Sequence, residues 1–483
     1  MQRRPGSSRP SAPALPSSDV RRPVWRRSRL LATGAAAVLV VTIGVVAVDA
    51  RDAPAVTASN WTTYHFNSIE SGIATVSSTA FAHPTRAWTS PVLNGQLYGE
   101  PLVQGNEVVM ATENDVVYAL RTTNGTVVWS HTVGTPVPST SLPCGDISPH
   151  VGITGTPVID AARSEVFVLA AEIVGSTISH HLVGLGLTTG TVLLDQVVDP
   201  PGTTTAAQLQ RPGLAIDHGS VVIGFGGNAG DCSTYHGWVV SVPEVGGTAH
   251  NFEVDASPGN HEGAVWLGGA APVVDASGNV WVATGNGSNT SGAAPDGADS
   301  VIELSSAMTV RQSFTPSTWR SDNAVDFDLG SSPPALMGNG LVFEAGKSHI
   351  AYLMLQSHLG GVGGQLTQQA NFCTADVDGG EAFTTTVLYA PCLSGVTAVH
   401  VNAKKHTMHV LWRTSTKAGG PPIFAGNRVW TMSRGGTLYG LHKGTGKPAV
   451  TLSVGAPANH FPTPSVGAGL LLAASADRVV AFH

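Results

Sequence analysis

Three carboxylates crowd one short stretch of this 483-residue chain: Asp322, Asp326 and Asp328. Oxygen ligands at that density suit a hard cation such as Ca²⁺, so a cation-stabilised loop is the first chemistry they suggest. Lys347, after Gly346, reads as a loop-end cation, and Gly285-Asn286-Gly287 as a tight turn. The histidines offer less. His180-His181 and His400, His406 and His409 lack the spacing of a helical metal pair, so no metal cluster is expected from them. Gly224-Phe225-Gly226-Gly227 does not open a helix as a dinucleotide-binding glycine loop does, and no GxSxG elbow accompanies it. The four cysteines, Cys144, Cys232, Cys373 and Cys392, contain no CxxC or CxxCH, which removes covalent haem and a thioredoxin-like redox motif.

The elements that must carry these residues are short strands. The stretch Glu100–Gly134 sets the pattern. A Pro-containing strand is followed by a turn at Gly105-Asn106, then by strands at Val108–Ala111 and Val116–Leu120. A hairpin turn at Asn124-Gly125 leads into Val127-Val128-Trp129. Related openings recur at Pro157, Pro212, Pro272, Pro334, Pro422 and Pro464. Most intervals are 42 to 62 residues, and the one of 88 leaves room for a degenerate copy around Thr386–Leu388. Thr189-Gly190, Gly247-Thr248 and Thr445-Gly446 repeat the corner between outer strands. Repeats of this length with about four strands each predict an all-β fold, an eight-bladed β-propeller with seven blades as the alternative. The last copy runs out at His483, so Ala87-Trp88-Thr89 is expected to complete its blade and remove a frayed edge. Trp129, Trp238, Trp281 and Trp430 read as blade-packing residues.

Charge divides the chain. Residues 1–29 carry eight arginines against one acid, while the remainder is acidic with a net charge of −14. An acidic body argues against a nucleic-acid partner. Leu30–Val48 is a run of 19 residues without a charge, nearly long enough to cross a hydrocarbon core of about 30 Å. The arginines before it place residues 1–29 in the cytoplasm as a disordered tail. Residues 49–59 then form a linker and 60–483 an extracytoplasmic propeller; a cleaved signal peptide is the competing expectation. Outside the cytoplasm the cysteines can pair. Of three possible connectivities, Cys144–Cys232 and Cys373–Cys392 are favoured: the second pair is close in sequence, and the first falls in loops on one face of the repeat.

Tyr118-Ala119-Leu120-Arg121-Thr122-Thr123-Asn124-Gly125, ending at Trp129, resembles the PQQ-like repeat. Trp61–Tyr64 with Ser71-Gly72 resembles the segment before the first blade of such proteins. A sharper likeness runs from Glu262 to Leu336, where EGAVWLGGAAPVVDASGNVWVATGNGSN resembles the quinoprotein alcohol dehydrogenases. The resemblance implies that Trp266 stacks under a quinone and that Asn286 ligands the Ca²⁺ beside it. It makes Asp326 or Asp328 the catalytic base, with Lys347 near the cofactor. The family's Glu ligand should fall within GNAGDCSTYHGWVVSV, which has none; Cys232 takes its place and Asp231 stands beside it as the available ligand. Neither adjacent cysteines nor a haem domain is present. The same repeat also builds non-catalytic propellers. The primary expectation is therefore a membrane-anchored binding or scaffold module for a protein or envelope polymer. The alternative is a dehydrogenase oxidising an alcohol or sugar with PQQ and Ca²⁺.

Overall fold

The computed structural model describes residues 60–483 apart from 293 and 415. The expected tail, membrane helix and linker lie outside the described residues. Among the described residues no helix is long and apolar enough to cross a membrane.

Eight antiparallel sheets follow one another along the chain as eight blades. Blade 1 comprises Leu102–Gln104, Glu107–Ala111, Val116–Arg121 and Val127–Thr132, as the first repeat predicts. The innermost strands of blades 1, 2, 4, 5, 7 and 8 start immediately after Pro101, Pro157, Pro272, Pro334, Pro422 and Pro464. That of blade 3 starts three residues after Pro212, at Ala215. Proline has no N–H to give a ladder, so it suits the residue that enters a strand. Blade 6 is the degenerate copy. It opens without proline at Ala382–Phe383, slightly upstream of the expected Thr386–Leu388, and Val387–Cys392 is its second strand.

Blade 8 joins the two ends of the described chain. Arg86–Thr89 pairs antiparallel with Arg478–Phe482, Trp88 opposite Ala481. Thr85 and His483 extend the ladder through two backbone hydrogen bonds of 3.0 Å. This pairing leaves the ring without an open edge at its weakest point. In blade 4, Gly361–Val362 returns from blade 5 and lies parallel to the outer strand Val310–Thr315, covering that edge as well.

Three blade junctions share one device. A tryptophan on the outer strand of one blade lies flat on the glycine of the next blade's turn. Trp88 covers Gly125, Trp129 covers Gly190 and Trp412 covers Gly446. Each indole N–H donates to a carbonyl of the same turn: Thr122 at 2.7 Å, Leu187 at 2.8 Å and Lys443 at 2.8 Å. These glycines have φ between 66° and 71° and no room for a Cβ, so glycine is required twice over. Trp238, Trp281 and Trp430 are buried within blades.

Residues 61–74 run across the central channel. Trp61 bridges Val103, Thr62 accepts from Ile159, Ser68 from Val274, Ser71 from Phe383, and Ile73 bridges Phe424. The segment therefore touches the inner strands of five blades. Both expected disulfides are present, Cys144–Cys232 and Cys373–Cys392.

Candidate functional site

A cavity of about 370 Å³ opens where the inner strands begin, because residues just before those strands line it: Arg211, Gly268, Ser331, Asp378, Gly420 and Pro462. Trp266, Asp328 and Lys347 line the same cavity. The turn that presents Trp266 depends on glycine. Leu267, Gly268 and Gly269 all have positive φ, and a Cβ on Gly268 would run into the backbone of Gly379.

Asp328 is the centre of the acidic wall. It is buried, and it accepts the backbone N–H of Asn286 at 2.9 Å. The Lys347 ammonium pairs with Asp328 and lies 3.4 Å from Asp326. Burial pushes the Asp328 pKa up, and the lysine only partly offsets this. Burial works against the Lys347 ammonium too, but Asp328, Asp326 and Asp378 outweigh it and hold its pKa above the ordinary value. One end of the Asn286 side-chain amide lies 2.6 Å from Asp328 Oδ1 and 3.2 Å from Asp326 Oδ1, and it donates to both when that end is the nitrogen. The other end of that amide lies 3.4 Å from Glu262 Oε2.

Glu262 opens the segment that carries the resemblance, but its pattern gave no reason to place it in the site. Burial, then repulsion from Asp231, Asp326 and Asp328, pushes its pKa up to about 7. Asp231 accepts the Tyr235 hydroxyl at 2.8 Å, and burial raises its pKa. Asn286, Asp326, Asp328, Trp266 and Lys347 thus come together, with Asp231 in electrostatic range at the rim. The Cys144–Cys232 bond holds the loop that carries Asp231.

The arginine in the same cavity was not anticipated. Arg211 is only 7 % exposed. Its guanidinium sits between the rings of Tyr98 and Phe461, 5.6 and 5.3 Å from their centroids, and donates to the His460 carbonyl at 3.1 Å. Arg434 and Lys417 line the same cavity. A sequence signal existed: Arg211 is the one basic residue directly preceding an opening proline, where the other openings have Glu, Thr, Ala or Pro.

These residues fit a quinone and not the ion beside it. The cavity supplies an aromatic face at Trp266 and cations for ring carboxylates. For Ca²⁺ the donor set is wrong. Lys347 already compensates Asp328, which leaves that carboxylate little charge to give a cation. Among the described residues no three acidic, histidine or cysteine side chains are placed to hold one metal ion.

The blades and their shared Trp–Gly junctions define a propeller of PQQ-like repeats. The family profile described as outer membrane protein assembly factor BamB matches residues 85–284 and 398–483, more than half of the chain, and the chain belongs to that PQQ-like family. No curated protein sequence matches it. Among solved structures it is similar to the quinohemoprotein alcohol dehydrogenase from Comamonas testosteroni, at 14 % identity over 88 % of this chain and 80 % of that one, with a TM-score of 0.65. A europium-containing methanol dehydrogenase gives 13 % identity over 86 % and 89 %, with a TM-score of 0.64. BamB from Moraxella catarrhalis gives 13 % over 83 % and 99 %, with a TM-score of 0.55. At these identities the likeness is one of fold.

Proposed function

We propose that the chain is a binding module, held outside the cell membrane by the 30–48 segment, and that its working site is the central pocket. One observation carries this reading: Trp266, Asp328 and Lys347, from separate segments, line a single cavity. A propeller that only offered its rim to a protein or envelope polymer would have no need to bury an ion pair there.

The second reading is a quinoprotein-like dehydrogenase, favoured by the Asn286–Asp328 contact next to Trp266. A bound quinone would accept the hydride of an alcohol or sugar. Trp266 would support its ring, and Asp328, held by Asn286 and Lys347, would take the substrate hydroxyl proton. Titration of the full-length chain in detergent with PQQ, with and without Ca²⁺, separates the readings. Binding accompanied by dye-linked alcohol oxidation, lost in Asp328→Asn, supports the enzyme. Binding without turnover supports the module. No PQQ binding at micromolar concentration would sink the dehydrogenase.

A further inference from the structure

The cationic wall of the pocket has charge to spare. A buried guanidinium is costly unless its donors are used and its charge is met. Arg211 is buried, yet its one hydrogen bond among the described residues runs from Nη2 to a neutral carbonyl, that of His460. It forms no ion pair there. Two acids act on its charge without a direct contact: Glu113, which accepts the Gly152 N–H and the Thr154 hydroxyl, and Asp146, whose Oδ2 lies 3.0 Å from His460 Nδ1. Two aromatic rings hold the guanidinium in place, so its orientation is set before anything binds. Arg434 and Lys417 line the same cavity, and neither forms an ion pair among the described residues. Of the three acids that line the pocket, Asp328 pairs with Lys347, Asp378 acts on the same ammonium, and Asp146 pairs with His460. Arg211, Arg434 and Lys417 thus line the cavity without an ion pair of their own among the described residues, outnumbering Asp146 beside them, with Trp266, Phe461 and Pro462 supplying apolar surface.

We propose that Arg211, Arg434 and Lys417 form an oxyanion receptor. The pocket's ligand is then a small organic anion, a carboxylate or a phosphate ester, with a flat apolar body set against Trp266 and Phe461. A planar guanidinium offers paired N–H donors to two oxygens of such a group, which an ammonium cannot do. The inference rests on the central pocket being the working site, but it needs neither a quinone nor a metal.

The test uses the full-length chain in detergent and three fluorescent probes of one size: 2-naphthoate, 2-naphthyl phosphate and neutral 2-naphthalenemethanol. The expected result is saturable binding of one or both anions, at least about 10-fold tighter than the alcohol and weakened by salt. The tighter anion identifies the source of the oxyanion. Arg211→Lys should weaken anion binding about 10-fold or more. Because Arg211 is buried, the exposed double variant Lys417→Ala/Arg434→Ala is the companion. It should fold normally, lose several-fold in affinity and lose most of the salt dependence. Equal binding of anions and alcohol, no anion binding at millimolar probe, or anion binding indifferent to both variants would each overturn the receptor. PQQ binding that depends on Trp266 and Asp328 but ignores Arg211→Lys would overturn it too, while leaving the pocket reading in place.

Discussion

Two regions of the propeller solve different problems. Around blades 8, 1 and 2, and again between blades 6 and 7, each junction is a tryptophan laid on a turn glycine. Blades 3 to 6 lack that device at their junctions among the described residues and hold the acidic wall instead. The family profile follows the same division: it skips residues 285–397, the stretch that holds Asn286, Asp326, Asp328, Lys347 and Asp378. The physical reason is that a blade junction constrains a strand and a turn, whereas a pocket residue sits on a loop before a strand. Loops can lengthen and change charge without disturbing the ladder. The exceptions sharpen the point. Trp266 and Arg211 lie inside the matched stretch, but both stand in turns that lead into inner strands rather than within the blades.

One disulfide, Cys373–Cys392, lies within the second region and the other, Cys144–Cys232, ties its blade 3 loop to the first, and these give the largest expected effect. Cys144–Cys232 closes 88 residues and Cys373–Cys392 closes 19. On the chain-entropy account, removing the first costs about 4.5 kcal/mol and the second about 3 kcal/mol. Urea midpoints of the two double-serine variants should fall in that order. A larger loss for Cys373→Ser/Cys392→Ser would mean that the loop-rich region leans on its disulfide more than chain entropy explains.

The Trp–Gly junction comes next. Gly190 and Gly175 share almost the same backbone, with φ of 67° and 65°. A Cβ on Gly190 would lie 2.5 Å from Trp129, while one on Gly175 would meet nothing within 4 Å. Gly175→Ala should therefore cost about 1 kcal/mol of backbone strain. Gly190→Ala should cost about 2–4 kcal/mol, because overpacking adds to that strain. Thermal unfolding of the pair isolates the tryptophan contact. Equal losses would show that the junction is held by its hydrogen bond to Leu187 and not by the flat contact.

What could be read in advance follows the same boundary. The openings at Pro101, Pro157 and Pro212, the Asn124-Gly125 turn and the closing strand at Trp88 are local patterns with local causes, so they gave the blades. The position of Trp266, Asn286, Asp328 and Lys347 around one cavity was legible only through resemblance, since their spacing in sequence carries no geometry. Glu262 and Arg211 were missed for a different reason. Each acquires its role from a partner more than twenty residues away in sequence: Asn286 for Glu262, and His460 with Phe461 for Arg211. No window of sequence displays such a pairing. Blade 6 was placed slightly late because its entry strand has no proline to mark it.

The smallest effect concerns buried acids, one in each region. Asp115 in the blade 1 hairpin and Asp255 between blades 3 and 4 are fully buried, and neither has a hydrogen-bond partner on either carboxylate oxygen. Burial, then repulsion from Glu172 and Glu113, pushes Asp115 up to about 9; burial, then Asp296 and Glu262, pushes Asp255 up to about 8. With its pKa raised on folding, each acid binds more protons in the folded than in the unfolded chain. Stability is then fully present below the ordinary carboxylate value, and it is lost as pH rises through 8 and 9. Thermal unfolding from pH 5 to pH 9 should thus show a falling midpoint. Asparagine, the neutral counterpart, should flatten that fall at either position by on the order of 1 kcal/mol once water entry is allowed for. Asp115→Asn should have the larger effect because its pKa is raised further. The reverse order would mean that the acidic wall near Glu262 stores more repulsion than the regular blades, and that the second region is the less stable one at alkaline pH.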